Sequence, residues 1–313
     1  MRVVIVGAGL SGLVAARSLT DAGASVVVVD KGRSPGGRLA TRRIGAATLD
    51  HGAQFFTART PAFQRRVDDW VERGLVAVWS HGFGDSDGHP RYGATAGMNS
   101  LAKDLAIGLD VRCSTMAFAV RPAETGDDWN VVIDDGTVHA ADAVIVTSPL
   151  PQSFALLADA GLELDETLMR TDYDRTIALL ATLDRPPTIT APGGIQRPTP
   201  QVSFVADNVA KGVSAIPAIT LHAAAEWSEQ HWDDDIEALQ RSLVELAAPW
   251  TGDARIDEAQ VKKWRFATPR STWPDPCWVA PGGRVVLAGD AFDGPRVEAA
   301  HNSGLAAAHA LSG

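Results

Sequence analysis

The residues of this chain with the clearest chemical meaning are three glycines and an acid. "GAGLSG" at 7–12 sets Gly7, Gly9 and Gly12 directly after the apolar run "RVVIV", and Asp30 closes the next apolar run, "SVVVVD". In that spacing Gly7 permits a tight turn, Gly9 lets the main chain approach a pyrophosphate, and Gly12 lets a helix pack on a strand. Leu10 and Ser11 fall in the first turn of that helix, whose free N–H groups and positive dipole end favour phosphate. Asp30 is placed to accept hydrogen bonds from a ribose diol. A chance glycine-rich turn is the plain alternative. The strand before, the helix after and the acid beyond weigh against it.

A second cluster follows in "RSPGGRLAT", which supplies Arg33, Gly36, Gly37, Arg38 and Thr41. A glycine pair lets a loop run close beneath a long ligand, and an arginine adds charge toward its phosphates. A basic surface loop is the other reading of these residues.

The elements that must position these groups are legible in the pattern. Residues 2–6 and 25–30 form apolar, β-branched runs of the kind found in strands covered on both faces. Between them, "LSGLVAARSLTDAGA" reads as a helix with Leu10, Leu13, Val14 and Leu19 inward and Gly23 near its end. Strand, helix and strand make a right-handed βαβ unit. The character changes from about 61 to 95: an amphipathic helix, "PAFQRRVDDWVERG", precedes two strands around a loop. Helix and strand return in "AGMNSLAKDLAIGLDVR". A hairpin turning at Asp135-Gly136 then leads into the buried strand "AVIVTS". Residues 151–260 read as a second region with long strands, the loop "DRPPTITAPGGIQRPTP", and a helix facing inward through Ile236, Leu239, Leu243 and Leu246. Last come a strand in "GGRVVLAGD" and the small-residue helix "VEAAHNSGLAAAHAL". The expected division is therefore discontinuous: 1–60, 96–150 and 261–313 as a nucleotide-binding domain, and 61–95 with 151–260 as a substrate domain.

With 313 residues the chain is long enough for one large domain or two interleaved ones. A net charge of −10 argues against nucleic acid as a partner, because phosphate-backbone binding needs clustered cations. Basic residues gather only at 33–43 and 262–265, which suits one bound phosphate-bearing small molecule. Cys113 and Cys277 are far apart and in no CxxC pairing, so neither a disulfide scaffold nor a zinc ribbon is expected, and a cytoplasmic setting is. Cys113 reads as core within a strand, Cys277 as a loop thiol. The N-terminal run passes superficially for a signal peptide, but its glycines and Arg17 favour a buried strand and helix. No stretch of 18 apolar residues reads as a membrane span.

The stretch from Arg33 to Thr41 resembles the R-x-x-G-G-R-x-x-[ST] sequence that follows the βαβ unit in the FAD-binding superfamily containing the amine oxidases. "LDHGAQFFTAR" at 49–59 is similar to the segment that passes the flavin in bacterial renalase-like flavoproteins. Further similarities run through "AGMNSLAKDLA", "TLHAAAEWSEQHWD", "KKWRFATP" and "GDAFDGPRVEAAHNSG", and so cover nearly the whole chain. The resemblance implies an α/β fold: a glutathione-reductase-type FAD-binding Rossmann domain with a discontinuous mixed-sheet substrate domain like that of p-hydroxybenzoate hydroxylase. It implies non-covalent FAD, held by Gly7, Gly9, Leu10, Ser11, Gly12, Asp30, Lys31, Gly37, Arg38, Gly52, Ala53, Gln54, Phe55, Ala117, Gly289, Asp290, Val297, Glu298 and Ala299. The N-terminus of the last helix, around Val297–Ala300, would face the negative charge of reduced flavin.

The resemblance further implies oxidation of aberrant dihydronicotinamides, the 2- and 6-dihydro isomers of NAD(P), to NAD(P)+ by hydride transfer to flavin N5. O2 then takes the electrons and leaves as H2O2. Such chemistry needs alignment more than an acid–base pair, so no catalytic side chain is assigned. Thr57, His222, Trp264 and Arg296 are the candidate substrate contacts. For His222 a satisfied core histidine is an equal reading, and for Trp264 simple packing. Two alternatives stay open: a flavin amine (C–N) oxidase on the same fold, and a flavin-binding sensor without turnover. Two departures bear on the substrate. Lys262-Lys263 stands where relatives carry a histidine or arginine pair, Ala291 where they carry an aromatic residue, and both are expected near the flavin.

Other constellations carry no chemistry. "HGFGDSDGH" at 81–89 lacks zinc or calcium spacing and reads as a solvated loop. "HWDDD" at 231–235 offsets a helix dipole. No metal site, G-x-S-x-G elbow or second GxGxxG is present.

Overall fold

The structure is a computed structural model that describes residues 1–84, 88–124, 126 and 128–312. Asp85, Ser86 and Asp87, the centre of the 81–89 loop, lie outside the described residues. The chain divides into two compact units: 1–37, 101–172 and 269–313 in the first, and 38–100 with 173–268 in the second.

In the first unit the apolar runs pair as a parallel sheet. Arg2–Val6 lies between Ser25–Val29 and Ala143–Val146, with Val285–Leu287 beyond the latter and Asp110–Arg112 beyond the former. Trp278–Val279 adds an antiparallel edge. Val3, Val4, Ile5 and all of Ala143–Val146 are buried, as a sheet covered on both faces requires. Leu10–Asp21 supplies one covering helix and buries Leu10, Leu13, Val14 and Leu19, the face its periodicity predicts. The last helix, Val297–Ser312, packs against it through small residues. A Cβ on Gly304 would stand 2.3 Å from the carbonyl oxygen of Ser11, so only glycine admits this approach. A three-stranded antiparallel meander, 117–122, 129–133 and 138–141, completes the unit's sheets.

The second unit is built on a five-stranded sheet in the order 194–199, 202–207, 218–223, 173–183, 256–269. One face turns Ile177, Leu179, Val205, Ile219 and Leu221 onto the helix Ile236–Thr251. That helix buries Leu239, Leu243, Ala247 and Trp250; Ile236, expected inward, is 52% exposed because it opens the helix beyond the sheet-facing stripe. The other face carries Leu180 and Ala218 against Ile44, Ala47 and Leu49 of the hairpin 41–50. This packing is why 38–60 belongs with the second unit. Helix Pro61–Glu72 begins at Thr60, whose hydroxyl accepts from the Phe63 amide, with Pro61 pre-set at its first position.

Two local expectations are corrected. "GIQRPT", expected as loop, is the edge strand Gly194–Thr199; an edge needs no ladder donor on its open side, so Pro198 is tolerated there. Cys113 lies just past its strand, half-buried rather than in the core, and burial, with Asp30 nearby, raises its thiol pKa. No described helix is long and apolar enough to cross a membrane.

Candidate functional site

In the first unit the helix Leu10–Asp21 starts from Gly9, and no side chain among the described residues caps the amides of its first turn. A Cβ on Gly12 would fall 2.0 Å from the Gly7 carbonyl oxygen, which enforces glycine where the helix meets the strand. A Cβ on Gly9 would meet nothing within 4 Å, so open space lies over the helix start. Ser11 Oγ is buried in that first turn with no hydrogen-bond partner among the described residues. A buried hydroxyl without a partner is costly unless a ligand supplies one. Free amides, open space and an unpaired donor fit the pyrophosphate of a dinucleotide.

Asp30 is held by two main-chain donors, the Ala8 amide on Oδ2 and the Gly32 amide on Oδ1, both at 2.6 Å. Its carboxylate is thereby oriented with acceptor capacity remaining for a ribose diol. The glycine pair closes the loop onto this cradle. The Gly36 amide donates to the Ala8 carbonyl at 2.9 Å, and Gly37, at φ +54°, comes within 3.3 Å of the Gly9 Cα through its would-be Cβ. Lys31 reaches Gln152 Oε1 at 3.3 Å. Ala117 opens the first strand of the meander, half-buried. At the C-terminal end of the sheet the Gly289 amide donates to Ser303 Oγ at 2.8 Å, which ties the turn before Asp290 to the last helix. Val297, Glu298 and Ala299 form that helix's first turn, with Glu298 and Ala299 buried. Arg296 folds back, its guanidinium donating to the Asp293 carbonyl at 2.9 Å. Ala291 is buried, and its carbonyl accepts from the Trp273 amide at 2.8 Å.

The second unit gathers a polar network that the motifs do not announce. Lys211 Nζ is fully buried and lies 2.7 Å from Asp50 Oδ2 and 3.4 Å from Gln54 Oε1. Asp50 Oδ1 also accepts from Thr41 Oγ1 at 2.6 Å and from the Met98 amide at 2.8 Å. Gln54 Nε2 donates to the carbonyls of Asp50 and Gly52 and sits 3.4 Å from His222 Nε2. Trp264 Nε1 donates to the His51 carbonyl at 2.7 Å, and its ring stacks on the His51 imidazole at 5.3 Å. Desolvation lowers the pKa of both His51 and His222 to about 4, with Lys262 the next cause at His51 and His51 itself the next at His222. Both imidazoles are neutral at pH 7. Burial also lowers the pKa of Lys211, opposed by Asp50.

Gly52, Ala53 and Arg38 form a close main-chain crossing. The Ala53 amide donates to the Arg38 carbonyl at 2.8 Å, and a Cβ on Gly52 would stand 2.0 Å from that oxygen. The Arg38 guanidinium points to the carbonyls of Phe266 and Ala267, at 3.3 and 3.4 Å. Phe55 belongs to an aromatic cluster with Phe83, Phe204 and Trp79. Thr57 is half-buried beside Phe56 and outside the Asp50–Lys211 network. Lys263 corrects the expectation of a site-facing pair. It alternates away from Trp264 along its strand and donates to the carbonyls of Trp232 and Asp234, over the Trp232 ring. Lys262 is the one felt by His51. Among the described residues no group of three His, Cys, Asp or Glu side chains is placed to hold a metal ion.

Lys211 is not legible in the sequence because "DNVAKG" reads as a turn, where lysine is ordinarily solvated. Asp50 and His51 carried a signal, since both lie in the motif-bearing "LDHGAQFF".

A cradle built this way defines a dinucleotide-binding class of protein, and comparison with known proteins narrows it. Residues 5–71 match the NAD(P)-binding Rossmann-like domain, and residues 72–312 match the flavin containing amine oxidoreductase family. The chain belongs to that family and is an FAD-dependent oxidoreductase. Over 58 residues it is 43% identical to the hydroxyneurosporene desaturase of Rubrivivax gelatinosus, a match spanning 18% of this chain and only 11% of that protein. Its fold is similar to that of a protein described as a protoporphyrinogen oxidase from Exiguobacterium sp. 255-15, with TM-score 0.75, 15% identity, and 99% and 98% of the two chains covered. Similarity to putrescine oxidase bound to putrescine is comparable, at TM-score 0.73 and 15% identity, covering 99% of this chain and 98% of that one.

Proposed function

We propose that this flavoenzyme oxidises aberrant dihydronicotinamides, 2- or 6-dihydro-NAD(P), to NAD(P)+, with O2 as the acceptor that leaves as H2O2. On this reading the first unit is a glutathione-reductase-type FAD domain and the second a substrate domain of the p-hydroxybenzoate hydroxylase kind. The observation that carries the substrate class is the electrostatics of the second unit. Its aromatic faces already hold the protein's own cations: Lys211 Nζ lies 5.2 Å from the Trp79 ring centroid, and the Arg91 guanidinium 5.9 Å from that of Phe55. An ammonium substrate would meet like charge there. A neutral dihydropyridine bearing phosphates would not.

FAD, bound non-covalently, supplies a two-electron acceptor at its ring nitrogen N5. Loss of hydride from a dihydronicotinamide yields the pyridinium directly, with no proton to remove, so the wall needs shape and neutrality rather than a general base. His222 and His51, both neutral, and the indole of Trp264 provide such a wall. Ser11 and the first-turn amides would hold the cofactor's pyrophosphate, and Asp30 its ribose. The helix start at Val297–Ala299 would offer main-chain amides to the anionic end of the flavin.

Anaerobic mixing with 2- or 6-dihydro-NAD should bleach the flavin absorbance within seconds, and air should restore it with one equivalent of H2O2. No bleaching, together with peroxide production from any member of an amine panel, would replace this reading by the amine oxidase one. Silence with both substrate sets would leave a flavin-binding sensor.

A further inference from the structure

The second unit contains an open cleft of about 690 Å³, a volume typical of small-molecule sites, lined by Asp174, Thr176, Arg197, Thr199, Ser203 and Thr268 among others. His222 does not itself line the cleft, but two of the lining residues share its sheet face. Ala178 stands opposite His222, so Thr176 and Asp174, two and four residues before it, share that face. Gln196, Phe204 and His222 lie on one rung across three adjacent strands. Arg197 follows Gln196 at the hairpin, so its main chain stands about 10 Å from that of His222, two strand spacings away.

Arg197 has two further properties. Its φ is +51°, in the left-handed region that a residue with a Cβ seldom adopts. Its guanidinium has no carboxylate partner among the described residues, in a chain of net charge −10. A guanidinium fork beside Thr199, which lines the same cleft, is a donor set for phosphate. Asp174 is the acidic lining residue; it offers acceptors to sugar hydroxyls and repels a second anion.

We propose that Arg197 and Thr199 form a phosphate subsite for the substrate, which selects a phosphorylated nicotinamide nucleotide over its unphosphorylated riboside. This rests on the dihydronicotinamide reading for the identity of the ring. With the ring against His222 and Trp264, Arg197 stands at the remove of the 5′-phosphate from its nicotinamide. The cleft would thus read the phosphate, while the flat neutral ring lies outside it against His222 and Trp264.

The test is equilibrium binding of nicotinamide mononucleotide and nicotinamide riboside to the FAD-loaded protein, by calorimetry at low and at high salt. Wild type should bind the mononucleotide at least ~10-fold more tightly than the riboside, a preference that shrinks as salt screens it. R197G, which glycine's freedom at positive φ keeps folded, should lose that preference and leave riboside affinity unchanged. R197K should retain part of it. Equal binding of the two ligands by wild type, or parallel loss of both in R197G, overturns the subsite. If the Arg197-dependent preference is present while 2- and 6-dihydro-NAD fail to bleach the flavin, the phosphate subsite stands and the assigned reaction falls.

Discussion

Lys211 and Asp50 illustrate how single residues act here, since each makes sense only in the other's presence. A fully buried ammonium and carboxylate at 2.7 Å are tolerable as a pair, with Thr41 and the Met98 amide filling the remaining carboxylate positions. Lys211→Met should therefore cost about 3–5 kcal/mol by stranding Asp50. The double variant with Asp50→Asn should recover much of that loss in urea unfolding. The two histidines make a second prediction, in pH. Their folded pKa of about 4 lies below the unfolded value of 6.5, so below pH 6.5 the unfolded chain takes up protons that the folded one refuses. Stability is fullest above pH 6.5 and falls as pH drops toward 4. His222→Gln should flatten that fall, measured as the urea midpoint against pH. Asp30 and the glycines were legible in the sequence because a spacing names them, and Gln54 only through the resemblance its segment carries. Lys211 was not, because burial of a turn lysine depends on which residues the fold sets around it.

The elements carry their own tests, and the glycine loop separates two roles that a motif lumps together. Gly9→Ala meets open space with ordinary dihedrals, so it should fold normally yet bind FAD at least ~10-fold more weakly, because the methyl group fills the phosphate's approach. Gly12→Ala should instead destabilise the fold itself, with its Cβ 2.0 Å from a carbonyl oxygen. Thermal melting and flavin content, measured on both, distinguish them. Gly304→Val at the crossing of the first and last helices should cost about 1–3 kcal/mol through overpacking. The βαβ unit, the amphipathic helices and the Asp135-Gly136 hairpin were readable because their periodicity is local. The edge strand Gly194–Thr199 was hidden, since its Pro and Gly content speaks for a loop until a neighbouring strand is there to pair with it. Lys263 was misplaced for a related reason: two adjacent residues on a strand face opposite ways, and only the register shows which way Trp264 points.

At the scale of the whole molecule, FAD is linked to stability. A cofactor that binds only the folded chain, supplied at about 100 times its dissociation constant, should add about 2.7 kcal/mol. Removing the flavin and refitting urea unfolding by tryptophan fluorescence measures this, and Ser11→Ala should reduce the gain by weakening the hold on the pyrophosphate. The chain passes between its two units at 37/38, 100/101, 172/173 and 268/269, so each unit is assembled from separated segments. By itself the sequence determined the cofactor class, because a pyrophosphate site is written in consecutive residues: glycines that clear the main chain, a helix start, and an acid one strand later. Tertiary structure alone decided the character of the second unit's interior. Its neutral imidazoles and its buried Lys211–Asp50 pair come from segments far apart in the chain, and charge state and partnership are set by what surrounds a residue in space.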